Sequence, residues 1–148
     1  MEPLEPQFYL NGDEPRIVGA VCTAFFLLQH QVDSALHDPV NVAYFQFGKG
    51  WWQLSLEGST IFWRESVQPS EPVNDRLSSM LVLVNLSEML GVIGCELESI
   101  TYTGSAEEIT ATLSFVGGQC LEFRHLGDDD VTLVAEKRNC PNAQVPTC

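Results

Sequence analysis

The sequence predicts a mainly β fold of the α+β type, in which an antiparallel sheet is built from two similar β-meander units. One observation is the strict alternation of apolar and polar residues from Glu108 to Phe115. Such alternation is typical of a strand with one buried and one solvated face. A second observation is that the order strand, glycine-containing turn, strand, turn, strand occurs twice, at 41–64 and at 109–135.

The two meanders match at their inward-facing apolar positions, with an offset that grows along the chain. Ala43, Phe45 and Phe47 correspond to Ala111, Leu113 and Phe115 (offset 68), Trp52 and Leu54 to Leu121 and Phe123 (offset 69), and Ile61 and Trp63 to Val131 and Leu133 (offset 70). We therefore predict one domain over 1–148, with an internal duplication at about 17–65 and 92–136 and a C-terminal tail at 137–148. Two unrelated meanders are the alternative, because alternation is common to all of them.

The flanking elements are less sharply defined by their residue pattern. The segment 15–36 suits either a buried helix or a long strand, and analogy with the second unit favours a strand from Ile17 to Leu28. An apolar run from Met80 to Val84 predicts a short strand. After it, Asn85 or Ser87 caps a brief helix through Leu90, which Gly91 ends.

The charge is strongly acidic and unevenly distributed. Twenty acidic and seven basic residues give a formal charge of -13, which disfavours nucleic acid and anionic membranes as partners and favours a basic protein. Between Glu96 and Glu136 there are nine acidic residues and one basic residue, Arg124. The alternative is that this charge serves solubility alone. The candidate partner-binding acidic residues are Glu107, Glu108, Glu122, Asp128, Asp129 and Asp130.

Three aromatic residues of the first unit form a second candidate surface. Trp51 and Trp52 are adjacent, so on a strand they point to opposite faces. If Trp52 points inward, then Tyr44, Trp51 and Phe62 point outward together, as in many protein-binding surfaces. The alternative is that the N-terminal segment packs over this face and buries it.

Catalytic and metal-binding patterns are absent from the sequence. His30, His37 and His125 lie in no metal-ligand spacing, and there is no nucleophile elbow, Walker loop or dinucleotide-binding motif. The run Asp128 to Asp130 is interpreted as a hairpin turn and not as a cation site. We therefore predict a protein without catalytic residues, metal or cofactor.

Cysteine usage and hydropathy bear on the compartment. Cys22, Cys95 and Cys120 lie in apolar runs and are interpreted as small core residues. Cys140 and Cys148 would close a short loop in an oxidising setting and stay reduced in the cytosol. No apolar stretch approaches the ~18 residues of a membrane span, and the N-terminus is acidic, so we expect a cytoplasmic protein.

In its acidity, small size and β-rich pattern the chain resembles the small cytoplasmic immunity proteins of bacterial contact-dependent inhibition and other polymorphic toxin systems. The resemblance covers the whole chain and rests on no single motif. It implies stoichiometric binding to a basic toxin, such as a nuclease, with occlusion of its active site. Two alternatives stay open: a small-molecule-binding β-rich domain around Phe45, Phe47, Trp52 and Trp63, and an assembly subunit that pairs with copies of itself.

Overall fold

The computed structural model describes residues 8–33, 35–74, 79–87, 91–105 and 107–137, and within these ranges the chain forms ten β-strands. Hairpins join most consecutive strands, because short turns with glycine or aspartate separate the alternating segments. The strands are β1 (Tyr9–Asn11), β2 (Cys22–Val32), β3 (Ala35–Phe47), β4 (Gly50–Glu57), β5 (Thr60–Ser66), β6 (Ser79–Asn85), β7 (Leu97–Gly104), β8 (Glu108–Phe115), β9 (Cys120–Leu126) and β10 (Val131–Lys137).

The strands form two sheets, and the prediction of a mainly β fold is confirmed. The first sheet has the order β1-β5-β4-β3-β2-β6, and the second has the order β10-β9-β8-β7. All neighbours are antiparallel except β1 and β5, which are parallel. The two predicted meanders therefore lie in separate sheets, since each has one apolar face that must be covered.

The core lies between the two sheets and is rich in phenylalanine. The ring of Phe123 on β9 packs edge-on against Phe25 and Phe45, with centroids 6.2 and 5.8 Å away. Phe25 and Phe45 are themselves stacked at 4.7 Å. Trp63 and Phe45, which one alternative places around a ligand cavity, are fully buried members of this core. Dense aromatic packing of this kind supplies much of a small domain's stability.

The described residues of the segment 15–36 contain strand and no helix. Residues 22–32 are β2, which begins later and ends later than the predicted strand from Ile17 to Leu28. The described residues also contain no helix after β6, so the helix expected between the units is not seen there. Leu86 and Ser87 follow β6 without helical structure, 91–94 form turns, and 88–90 lie outside the described residues. Instead, Asn85 Oδ1 accepts a hydrogen bond from Ser87 N, and Ser87 Oγ accepts one from Phe25 N.

The two sheets are joined by reciprocal backbone hydrogen bonds between 19–22 and 94–97. Gly19 N donates to Leu97 O, and Gly94 N donates to Cys22 O, both at 2.8 Å. The two glycines have φ of 93° and 88°, which few other residues adopt. Cys22 N and Leu97 N complete the pattern by donating to Cys95 O and Ala20 O. The segments are therefore equivalent in backbone structure at an offset of 75, while descent from a duplicated unit stays a prediction.

The third strand of each meander corresponds at an offset of 71 and not at the expected 70. Trp63 faces Leu54 across β4 and β5, and in the second sheet Val134 faces Phe123 in the same way. Thr132 is buried and Leu133 is 36% exposed, so Leu133 is not an inward residue. The reason is the turn at 127–130, which is two residues longer than the turn at Gly58 and Ser59.

The cysteines differ in bonding state. Cys22 is a free, buried thiol, and burial raises its pKa to about 12. Cys95 and Cys120 are buried in the core, which confirms their interpretation as core residues, and both are also disulfide-bonded. Cys140 and Cys148, with the tail after Lys137, lie outside the described residues. No helix within the described ranges is long and apolar enough to cross a membrane.

Candidate functional site

Three turns from both sheets meet at one end of the molecule. They are Gly58–Ser59 between β4 and β5, the turn with Ser105 and Glu107 between β7 and β8, and 127–130 between β9 and β10. Gly127 N donates to Glu107 O at 3.0 Å, and Gly58 N donates to His125 Nε2 at 3.2 Å. These bonds fix the turns relative to one another. The region is called the acidic end below, because these turns and the adjoining strand ends carry Glu57, Glu107, Glu108 and Asp128–Asp130.

A groove of about 280 Å³ lies between the three turns. Ser105 shapes one wall, because its hydroxyl accepts hydrogen bonds from Glu107 N and Glu108 N at 3.4 and 3.2 Å. Glycines at positions 58 and 127 keep the groove open, since they have no side chains to fill it. The lining residues are Gly58, Ser59, Ser105, Glu107, Glu108, Ile109, Gly127 and Asp128.

A second cleft, of about 350 Å³, lies beside His125 and is called the His125 cleft. The imidazole is 3% exposed and bridges the sheets. Its Nε2 accepts the Gly58 N–H, so Nδ1 carries the proton and donates to Thr132 Oγ1 at 3.0 Å. The lining residues are Asp38, Asn41, Val42, Ser55, Leu56, Glu57, His125 and Asp130.

The carboxylates of the His125 cleft have different roles. Asp38 Oδ1 accepts from Thr132 N at 3.0 Å and from Val40 N at 3.3 Å, so it ties β3 to β10. Asp130 lies at the mouth with a side chain that is 81% exposed, and its Oδ1 is 3.5 Å from His125 Nε2. Glu57 also lines this cleft and is exposed. Asp130 and Glu57 are therefore available to a cation that approaches from solvent, whereas Asp38 is structural.

Two of the six predicted acidic residues are already ion-paired within the chain. Glu108 bonds to Arg124, which raises the pKa of that guanidinium through the hydrogen bond, and Glu122 lies 3.0 Å from Lys137. Glu122 also lies along the outer face of β9 and not at the acidic end. Glu107, Asp128 and Asp129 are exposed and have no ion pair with any described residue. The structure therefore brings five of the six predicted residues together at the acidic end. Three of these five have no ion-pair partner among the described residues.

The aromatic residues Tyr44, Trp51 and Phe62 lie on the outer face of the first sheet, and each is partly buried. Polar residues separate them, because Gln53 faces Tyr44 and Ser55 faces Phe62 across the strands. They form an aromatic face and not one compact cluster. Burial raises the pKa of the Tyr44 hydroxyl. Of the described N-terminal residues, 9–11 pair along the edge of β5 as β1, in the plane of the sheet.

Further contacts extend this aromatic face. The ring of Phe26 packs against Trp51 at 5.9 Å, and the Arg64 guanidinium lies 5.7 Å from the centre of the Phe62 ring. Phe26 was missed because the segment 15–36 had no definite assignment. Asp38 and Glu57 were missed because they belong to the first unit, where acidic residues are sparse. Alternation along a firmly assigned β2 would have identified Phe26 as an outward residue.

The His125 cleft adjoins the aromatic face. Val42 and Ser55 line the cleft, and strand alternation places their side chains on the outer face of the first sheet. Ser55 is directly opposite Phe62, and Val42 precedes Tyr44 by two residues on β3. A partner seated on the acidic end therefore reaches the aromatic face without crossing to another side of the molecule.

No described residues form a group of three or more His, Cys, Asp or Glu side chains placed to hold a metal ion. Comparison with known proteins matched the chain to no family model, no curated protein and no solved structure. The function is therefore inferred from the acidic end and the aromatic face.

Proposed function

We propose that the protein is a non-catalytic inhibitor that binds a basic protein stoichiometrically through the acidic end and the aromatic face. The observation that carries the proposal is the position of Glu107, Asp128 and Asp129. These exposed carboxylates come from two turns that are hydrogen-bonded together, and no described cation neutralises them. A fixed array of unpaired negative charge is complementary to a lysine- and arginine-rich surface.

The two surfaces contribute differently to binding. Exposed charges mainly accelerate association and select the partner, and their individual free energies are about 0.2–1 kcal/mol. The aromatic face supplies apolar area that loses water on contact, which is where most binding energy is concentrated. Because the His125 cleft joins the two surfaces, one partner covers both. Its cationic groups would then be withheld from their own anionic ligands, such as substrate phosphates.

In biological terms, we propose an immunity protein that neutralises a cognate basic toxin of a bacterial polymorphic toxin system. Such a protein acts in the cytoplasm, so cytoplasmic location belongs to the proposal. The disulfides at Cys95 and Cys120 are more typical of an oxidising compartment. Acid quenching of intact cells, followed by alkylation of the unfolded protein and mass spectrometry, tests the location: both cysteines alkylated supports the cytoplasm, and both protected contradicts it.

The test of binding uses the basic protein encoded by the adjacent gene and titration calorimetry at low and high salt. We expect submicromolar affinity that weakens as salt is added. A triple variant, Glu107→Gln with Asp128→Asn and Asp129→Asn, should bind about 10-fold more weakly, since three exposed charges together contribute about 1–2 kcal/mol.

The matched control removes the same charge away from the acidic end, by Asp13→Asn, Glu65→Gln and Glu71→Gln, at three exposed positions. It should change the affinity by less than about threefold. If the control weakens binding as much as the triple variant does, net charge and not the acidic end determines binding. Absence of binding to any neighbouring gene product would contradict the proposed function itself.

A further inference from the structure

The edge strand β6 lacks the features that protect most exposed sheet edges. Its sequence, SMLVLVN from Ser79 to Asn85, contains no charged residue, proline or glycine. Its pairing with β2 continues without a bulge. Soluble proteins usually block edge strands with charges, prolines or bulges. Edge strands β7 and β10 of the second sheet do carry charges, at Glu98 and at Glu136 and Lys137.

The apolar side chains of β6 are accessible from both faces of the sheet. All five central residues, from Met80 to Val84, are partly exposed. Their cross-strand partners on β2 include Gln29, His30 and Gln31, so this part of the first sheet extends beyond the apolar core. An uncharged apolar strand in a chain of formal charge -13 is unusual for a surface that faces only water.

The side chain of Asn74 shows which backbone groups of β6 face the open edge. Its Nδ2 donates to Leu81 O, and its Oδ1 accepts from Leu81 N, both at 2.8 Å. Leu81 therefore does not use these groups to pair with β2. Since bonded and non-bonded pairs alternate along antiparallel strands, the N–H and C=O of Leu83 also point outward. No described residue bonds to them.

We propose that β6 pairs antiparallel with β6 of a second copy of this chain, about a two-fold axis at Val82. In this register Leu81 of each copy lies opposite Leu83 of the other copy. Both residues direct their backbone groups to the open edge, so each pair exchanges two hydrogen bonds. Met80 then faces Val84, and Ser79 faces Asn85. The strand is self-complementary in hydrogen bonding and in side-chain type, as an isologous interface requires.

Asn74 competes with this pairing, because its amide occupies the groups of Leu81 that the second copy needs. Removing the amide by Asn74→Ala should therefore strengthen dimerisation, by about 3- to 10-fold for the two competing bonds in each copy. Salt should also strengthen it, because screening reduces the repulsion between two acidic chains. Binding of the basic partner weakens with salt, so the two associations are distinguished by opposite responses.

The experiment is sedimentation equilibrium over a dilution series at low and high salt. Leu83→Lys should weaken the dimer at least about 10-fold, since each lysine faces an apolar residue in a paired edge. Combining it with Leu81→Glu places Glu opposite Lys in the proposed register and should restore the dimer. Thr103→Lys on β7, an exposed position on another edge strand, makes the same charge change and should have no effect.

A second measurement uses the protein without substitutions, so it does not require any variant to fold. Amide hydrogen exchange at Leu83 should slow as protein concentration rises, while the Val82 amide, bonded to β2, stays unchanged. A monomer at every salt concentration up to about 1 mM protein, where a millimolar association is about half formed, would overturn the proposal. A dimer that Leu83→Lys leaves intact would overturn it as well. Failure of the Glu–Lys combination to restore the dimer would refute the register at Val82.

Discussion

Replacing Tyr102 by phenylalanine tests the hydrogen bonds that join the two sheets to the N-terminal segment. Trp63 Nε1 donates to Tyr102 Oη at 2.8 Å, and the Tyr102 hydroxyl donates to Glu14 Oε2 at 2.6 Å. Trp63 is 1% exposed, so the variant leaves its indole N–H buried without an acceptor. An orphaned buried donor costs about 1–3 kcal/mol, and the lost bond to exposed Glu14 adds little. We expect a loss of about 2 kcal/mol at pH 8, or about 4–8 °C in Tm.

The same residue makes stability depend on alkaline pH. Burial, followed by the hydrogen bond to Glu14, raises the pKa of Tyr102 above its ordinary value of 10.0. The folded protein therefore holds this proton more tightly than the unfolded chain does. The contribution to stability is complete below pH 10 and is lost as the pH rises beyond it. Tyr102→Phe has no such loss, so its deficit should shrink above pH 10.

The assay is guanidinium unfolding followed by tryptophan fluorescence at pH 8 and pH 11. Tyr9→Phe is the control, because Tyr9 is 63% exposed and its substitution should not change the free energy of unfolding at either pH. A deficit for Tyr102→Phe below about 0.5 kcal/mol at pH 8, the range of ordinary surface substitutions, would refute the orphaned-donor argument. A deficit that stays constant between the two pH values would refute the titration argument.

Two further predictions concern the core. Phe123→Ala should lower the free energy of unfolding by about 3–5 kcal/mol, because the ring is fully buried against Phe25 and Phe45. Leu133→Ala is the control at an exposed position, and it should lower that free energy by less than about 1 kcal/mol in the same chemical denaturation. Cys22, buried with a pKa of about 12, should resist maleimide at pH 8 until the protein unfolds, and rapid labelling of the folded protein would contradict its burial.

Alternation was enough to predict the strands that have one buried face. The residues 108–115 form β8 with Ile109, Ala111, Leu113 and Phe115 buried, because burial of apolar area decides which face turns inward. The offset of the third strand was one residue wrong for a related reason. The residues of β10 alternate between two faces, but this pattern does not show which face is buried. The length of the 127–130 turn decides that Thr132 lies inside.

The site was predictable where it depended on local turns and unpredictable where it depended on packing between sheets. Glu107 and Asp128 follow from turn composition. Asp38 and Glu57 line the same cleft because the start of β3 is bonded to β10 and β4 ends beside His125, which no local pattern contains. The ion pair of Glu108 with Arg124 requires the register of β8 against β9. The disulfides at Cys95 and Cys120 required three-dimensional proximity, to which sequence spacing is not a guide.

The reciprocal bonds between 19–22 and 94–97 have a consequence for how the chain folds. Each sheet depends on a segment that lies 75 positions away along the chain, whereas the hairpins close over a few residues. Closing so long a loop is entropically slow, so we expect the hairpins to form early and these bonds late. Because the same residues close both sheets, their formation should couple the two halves into one cooperative transition. A probe in β4 and a probe in β9 should therefore report the same unfolding rate.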